Sequence, residues 1–136
     1  MPALRICVDV PDLERAIAFY TGGLGLAVGR RLGEHWAELL GCPVPIDLLT
    51  NRAGTGPVRG GEALRDYARH WTPVHLDFVV DDLDGAVARA TTAGATVELP
   101  ITDKKWGRIA VLADPFGHGL CLLEMRGRGY DELLSP

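Results

Sequence analysis

The chain has 136 residues, 47% of them hydrophobic and 24% charged, with a formal net charge of −4. That is the composition of one globular domain, not of a disordered segment, and a chain this long buries roughly two thirds of its unfolded surface without staples. Three cysteines without framework spacing (Cys7, Cys42, Cys121) argue against a disulfide scaffold, and scattered basic residues argue against nucleic acid as a partner.

Residues 4–10 alternate apolar and polar, as a half-buried strand does. Pro11 ends that strand, Asp12 is placed to cap a helix, and Leu13, Ala16, Ile17 and Tyr20 recur at helical spacing up to Gly22 and Gly23. Residues 24–32 read as a turn and a strand, and residues 36–40 and 46–50 as two more strands. Residues 51–61, with four glycines and a proline, read as a loop, and residues 62–69 as a short helical link. The pattern then restarts. Residues 74–80 alternate as the first strand does, Asp82 caps a helix carrying Leu83, Ala86, Val87 and Ala90 on one face, and Gly94 stops it. Residues 96–99, 108–113 and 120–125 read as strands, the last two joined by a turn at Asp114-Pro115-Phe116-Gly117. No apolar run approaches the roughly 20 residues that span a bilayer. Residues 1–10 lack the basic region and long apolar run of a secretory leader, so a cytoplasmic location is expected.

A shift of 70 positions superimposes the halves: Val10 on Val80, Asp12 on Asp82, Leu13 on Leu83, Ala16 on Ala86, Ala18 on Ala88 and Thr21 on Thr91. Two copies of one strand–helix–three-strand unit follow from this, with module 1 at 1–68, module 2 at 69–127 and a tail at 128–136.

Residues 10–20 followed by Leu24-Gly25-Leu26, residues 75–83, and the segment 114–121 with its Asp-Pro-x-Gly turn resemble the vicinal oxygen chelate superfamily, which includes glyoxalases, bleomycin-resistance proteins and extradiol dioxygenases. The resemblance covers nearly the whole chain. It implies an α+β fold of two βαβββ modules whose curved mixed sheets form a cup, commonly in a homodimer. In the metalloenzymes of that superfamily four side chains, drawn from the first and last strands of each module, hold a divalent metal that chelates vicinal substrate oxygens. The matching positions here are Arg5, Asp47, His75 and Cys121.

Arg5 departs from that pattern, because a guanidinium has no free lone pair and repels a cation. It is placed to pair with Asp47, to meet a ligand anion, or both. Asp47, His75 and Cys121 remain chemically competent for zinc, but with Arg5 beside them the expectation is no metal cofactor. His75 reads either as a hydrogen-bonded structural histidine or as a catalytic acid/base oriented by Asp77. A Cys121–His75 nucleophile pair is a further alternative. Trp106 and Arg108, like Trp71, flank the strands of module 2 and are placed either to meet a planar ligand or, Trp71 above all, to pack in the core or a dimer interface. The leading expectation is a small-molecule-binding protein without the usual metal, holding an aromatic or antibiotic-like ligand through Arg5, Asp47, Asp77, Trp106, Arg108 and Cys121. The alternatives are a metal-dependent lyase, isomerase or dioxygenase, and a metal-free enzyme using His75.

Overall fold

The computed structural model describes residues 1–134; the end of the expected tail, Ser135 and Pro136, lies outside them. The chain divides between Ala68 and Arg69 into two compact units, each an α+β unit with one helix on one four-stranded mixed sheet.

In the first unit β1 (Ile6–Val10) leads into α1 (Leu13–Gly22), then β2 (Ala27–Leu32), β3 (Trp36–Leu40) and β4 (Ile46–Thr50). The sheet order is β1-β4-β3-β2, with β1 parallel to β4 and the other pairs antiparallel. Asp12 caps α1 by accepting a hydrogen bond from the Arg15 backbone N–H at 3.0 Å. The helix buries Leu13, Ala16, Phe19 and Tyr20. The core of the unit also holds Val10, Leu39, Ile46 and Leu48. Opposed residues of neighbouring strands share a face. The register Ile6–Ile46, Val8–Leu48 and Ala37–Leu48 therefore defines the apolar face, and Cys7–Asp47 and Glu38–Asp47 define the polar one.

The second unit repeats this plan: β5 (Leu76–Val79), α2 (Leu83–Thr92), β6 (Thr96–Lys104), β7 (Gly107–Ala113) and β8 (Gly119–Met125), in sheet order β5-β8-β7-β6. Asp82 caps α2 through the Gly85 N–H at 3.0 Å. The two helices begin 70 residues apart and have the same length, as the repeat requires.

Two expectations are corrected. Residues 62–69 form no helix; the Arg65 N–H and C=O pair instead with Thr55 and Gly54 (2.9 and 2.8 Å), which leaves them unable to bond within a helical turn. β6 runs five residues past Leu99, because it is an edge strand that takes Pro100 into an irregular stretch between Leu99 and Thr102. The tail contains a 3₁₀ turn, η1 (Gly129–Leu133), whose Tyr130 ring lies 5.0 Å from that of Trp106.

Candidate functional site

The four positions singled out by the superfamily pattern fall at equivalent places in the two units. Arg5 immediately precedes β1, and Asp47 lies on β4 opposite Cys7; His75 immediately precedes β5, and Cys121 lies on β8 opposite Asp77. The chemistry at these equivalent places differs sharply.

In the first unit the polar sheet face is closed by an ion-pair network. Arg5 Nε donates to Asp47 Oδ2 at 2.8 Å and Nη2 to Asp47 Oδ1 at 2.6 Å, a bidentate fork. The same Nη2 donates to Glu38 Oε2 at 2.7 Å. Arg30 grips Glu38 from the other side, Nη2 to Oε2 at 2.6 Å and Nε to Oε1 at 3.0 Å. Asp47 and Glu38 are both buried, at 4% and 5% exposure. Two guanidiniums thus balance two carboxylates. Hydrogen bonds from Arg30 and then Arg5 hold the Glu38 carboxyl down at about 2, and hydrogen bonds to Asp47 and then Glu38 raise Arg5 above the ordinary arginine range. Gly29 makes room for this: a Cβ there would stand 2.9 Å from Glu38 Oε1. Glu38 was not singled out in the sequence, although a lone carboxylate in the apolar run Trp36-Ala37-Glu38-Leu39-Leu40 is the signal that marks it. Further along the same face, Asp9 accepts from Asn51 Nδ2 at 2.8 Å and from Arg65 Nε at 2.7 Å, which ties the 51–68 strap to β1.

In the second unit His75, Asp77 and Cys121 converge. One donor atom from each lies within 4.8 Å of the others. His75 Nε2 is 3.2 Å from Asp77 Oδ1, and these two side chains are 40% and 41% exposed, while Cys121 is buried beneath them. Burial, the Asp77 charge and a hydrogen bond to Asp77 push the Cys121 thiol up to about 11. A thiol raised in this way ionises less readily, which works against a Cys121–His75 nucleophile pair. The indole of Trp71 meets the His75 ring edge to face at 5.3 Å. Trp71 is itself fixed: Arg69 lies 4.6 Å over its ring, and its Nε1 donates to Glu98 Oε2 at 3.1 Å. Arg69 also binds Glu98, which lowers the Glu98 carboxyl.

The structure does not bring Arg108 or Trp106 to this cluster. Arg108 donates to Glu124 at 2.8 Å and pairs with Asp84 at 2.8 Å. Glu124 in turn accepts from the Leu83 N–H at the start of α2. Arg108 therefore serves the helix-bearing side of the sheet, opposite to Cys121. Trp106 packs against Tyr130 in the β6–β7 turn.

A metal centre built from one donor at each of the four positions does not fit these residues. Arg5 supplies a fixed positive charge instead of a lone pair, and its fork takes both oxygens of Asp47. Among the described residues no helix is long and apolar enough to cross a membrane.

Two βαβββ units, each with its first strand parallel to its last, are the architecture of the vicinal oxygen chelate superfamily. Within it, the chain belongs to the glyoxalase-like domain family, whose sequence profile matches residues 5–123. It is 34% identical over 121 residues to the uncharacterized protein Rv0887c of Mycobacterium tuberculosis, covering 86% of this chain and 71% of that one. It is also 34% identical over 119 residues to the anthracycline biosynthesis protein DauV of Streptomyces sp. strain C5, covering 85% of this chain and 38% of DauV. In fold it is similar to the crystal structure of the fosfomycin resistance protein FosX of Listeria monocytogenes, with a TM-score of 0.70 at 19% identity over 98% of each chain.

Proposed function

We propose that this protein binds a small, planar organic molecule of antibiotic-like chemistry and does so without the four-ligand metal centre of its superfamily. The observation that carries this reading is the Arg5 fork on Asp47 and Glu38. It replaces a metal's positive charge by a permanent one and leaves Arg5 Nη1 outside the network, on a side chain that is 40% exposed. That nitrogen is suited to an anionic or carbonyl oxygen of a ligand. The names of DauV and FosX, one concerned with anthracycline biosynthesis and the other with fosfomycin resistance, support antibiotic-like chemistry. The same reading has the protein acting in the cytoplasm as a homodimer.

A second reading is favoured by the 3.2 Å contact of His75 with Asp77: a metal-free enzyme in which His75 moves a proton on the bound molecule. Thermal denaturation of the chelator-treated protein against anthracyclines, other polycyclic aromatics and phosphonates separates these ideas. A ligand at 100 times its Kd stabilises the folded state by about 2.7 kcal/mol, a readable rise in Tm. The binding reading expects such a rise with no turnover. Turnover that His75→Ala abolishes while the rise in Tm persists supports the second reading. No rise with any of these classes overturns the proposed ligand chemistry, and light scattering that gives a monomer at micromolar concentration overturns the dimer.

A further inference from the structure

We propose that the β2–β3 pair builds the selective half of the ligand site, where Arg30 and Trp36, beside Arg5, admit a planar aromatic acid. Arg30 and Arg5 take its ionised oxygens, and Trp36 meets its rings. This rests on the reading above that a planar molecule is bound at Arg5 without a metal, and it adds the charge of that molecule and two residues that select it.

The placement follows from the strand pairing. Val28 pairs with Leu39 and Arg31 with Ala37, so a bulge leaves both Gly29 and Arg30 opposite Glu38. Gly29 contributes no side chain: its Cβ would stand 2.9 Å from both Glu38 Oε1 and Leu40 Cδ1. Arg30 alone reaches across, and it is held at three points. Its Nη2 donates to Glu38 Oε2 at 2.6 Å, its Nε to Glu38 Oε1 at 3.0 Å, and its Cζ lies 5.9 Å from the centre of the Trp36 ring. An arginine fixed in this way has given up much of its rotamer freedom before any ligand arrives. Arg5 Nη2 shares the same Glu38 Oε2 at 2.7 Å, so the two guanidiniums stand side by side.

The layering of charge decides what this surface attracts. Asp47 and Glu38 are buried, whereas the side chains of Arg5 and Arg30 are 40% and 71% exposed. The cations lie outermost, so solvent meets N–H donors rather than carboxylates. Neutralising the carboxylates uses Nε and Nη2 of each arginine; Arg5 Nη1 and Arg30 Nη1 make no hydrogen bond among the described residues. Two adjacent planar donors that cannot lose their charge match the two oxygens of a carboxylate. Apolar surface flanks them. Trp36 and Leu40 share a face with Glu38 by alternation, and Leu32 joins it as the partner of Trp36. Leu32 and Leu40 are exposed and Trp36 is half-buried. Two residues along a strand span about 7 Å, so a fused-ring acid with its carboxylate on the guanidiniums reaches Trp36 and Leu32 with its rings. An uncharged planar molecule gains the apolar contact alone.

The test titrates the chelator-treated full chain, by calorimetry, with anthraquinone-2-carboxylate and with its uncharged counterpart anthraquinone-2-carboxamide. The expected result is binding of the carboxylate about tenfold or more tighter than the carboxamide, a preference that Arg30→Gln removes. Trp36→Leu should weaken both probes severalfold. Arg31→Gln is the charge control: Arg31 pairs with Glu14 of α1, and its loss should leave the preference intact. Circular dichroism establishes that each variant is folded, and the double variant Arg30→Gln, Glu38→Gln, which removes both charges together, decides the matter if Arg30→Gln does not fold. Equal binding of the two probes overturns the proposal, as do a preference that survives Arg30→Gln, one that Arg31→Gln removes equally, and affinities unchanged in Trp36→Leu. Each of these leaves the planar-ligand reading standing. If neither probe binds while an uncharged planar compound from the screen does, the acid requirement falls alone; if no planar compound binds at all, the reading above falls and this proposal with it.

Discussion

Replacing Gly119 by alanine probes the wall of the second-unit cluster. A Cβ at Gly119 would stand 2.6 Å from Cε3 and Cζ3 of Trp71 and 2.7 Å from Cη2. Ordinary carbon contacts are about 3.5–4.0 Å, so the indole must retreat by about 1 Å. Trp71 is 45% exposed and has room to move; β8, paired on both sides, does not. The ring therefore gives way, loosening its 3.1 Å bond to Glu98 and its contact with His75. Overpacking of this kind costs about 1–3 kcal/mol, and replacing a strand glycine returns about 0.5–1 kcal/mol. The net loss in urea denaturation should be about 0–2.5 kcal/mol. The diagnostic readout is the imidazole resonances of His75, assigned with His75→Gln, which should shift as the ring current of Trp71 moves away. Unchanged His75 resonances in a stably folded Gly119→Ala protein would refute the claim that Trp71 positions His75.

Two further outcomes follow from the networks. The folded-state pKa of Glu38 lies at about 2, below its ordinary value of 4.5. Its contribution to stability is therefore complete above about pH 4.5 and is lost as pH falls toward 2. Glu38→Gln should flatten the stability profile in that window, as measured by denaturant midpoints across pH, and an unchanged slope would contradict the network. Asp82→Ala, which removes the cap of α2, should cost about 1 kcal/mol in equilibrium unfolding, and Asp12→Ala in α1 the same, because the two caps make the same bond at the same distance.

The repeat was legible because capping and helical spacing are local signals: Asp12 with Leu13, and Asp82 with Leu83, mark two helix starts 70 residues apart. The Arg5–Asp47 pairing followed from placing both residues by superfamily pattern. Glu38 and Arg30 escaped notice because their partnership depends on the β2–β3 register and its bulge, which no local signal fixes. Arg108 looked like a ligand contact because it flanks the strand carrying Val111, but strand alternation turns it to the helix side, where Glu124 and Asp84 take it. The extended 62–69 strap was hidden for a similar reason: its partners, Asp9 and Gly54, are distant in sequence.

The most direct test of the central claim is calorimetric titration of the best compound from the ligand screen into metal-stripped protein with excess chelator, repeated after adding zinc or manganese ions. The account predicts binding in chelator that Arg5→Gln weakens. Binding that vanishes in chelator, returns with the added ion and is lost again in Asp47→Asn would show that the four-position metal centre operates despite Arg5, and would contradict the account.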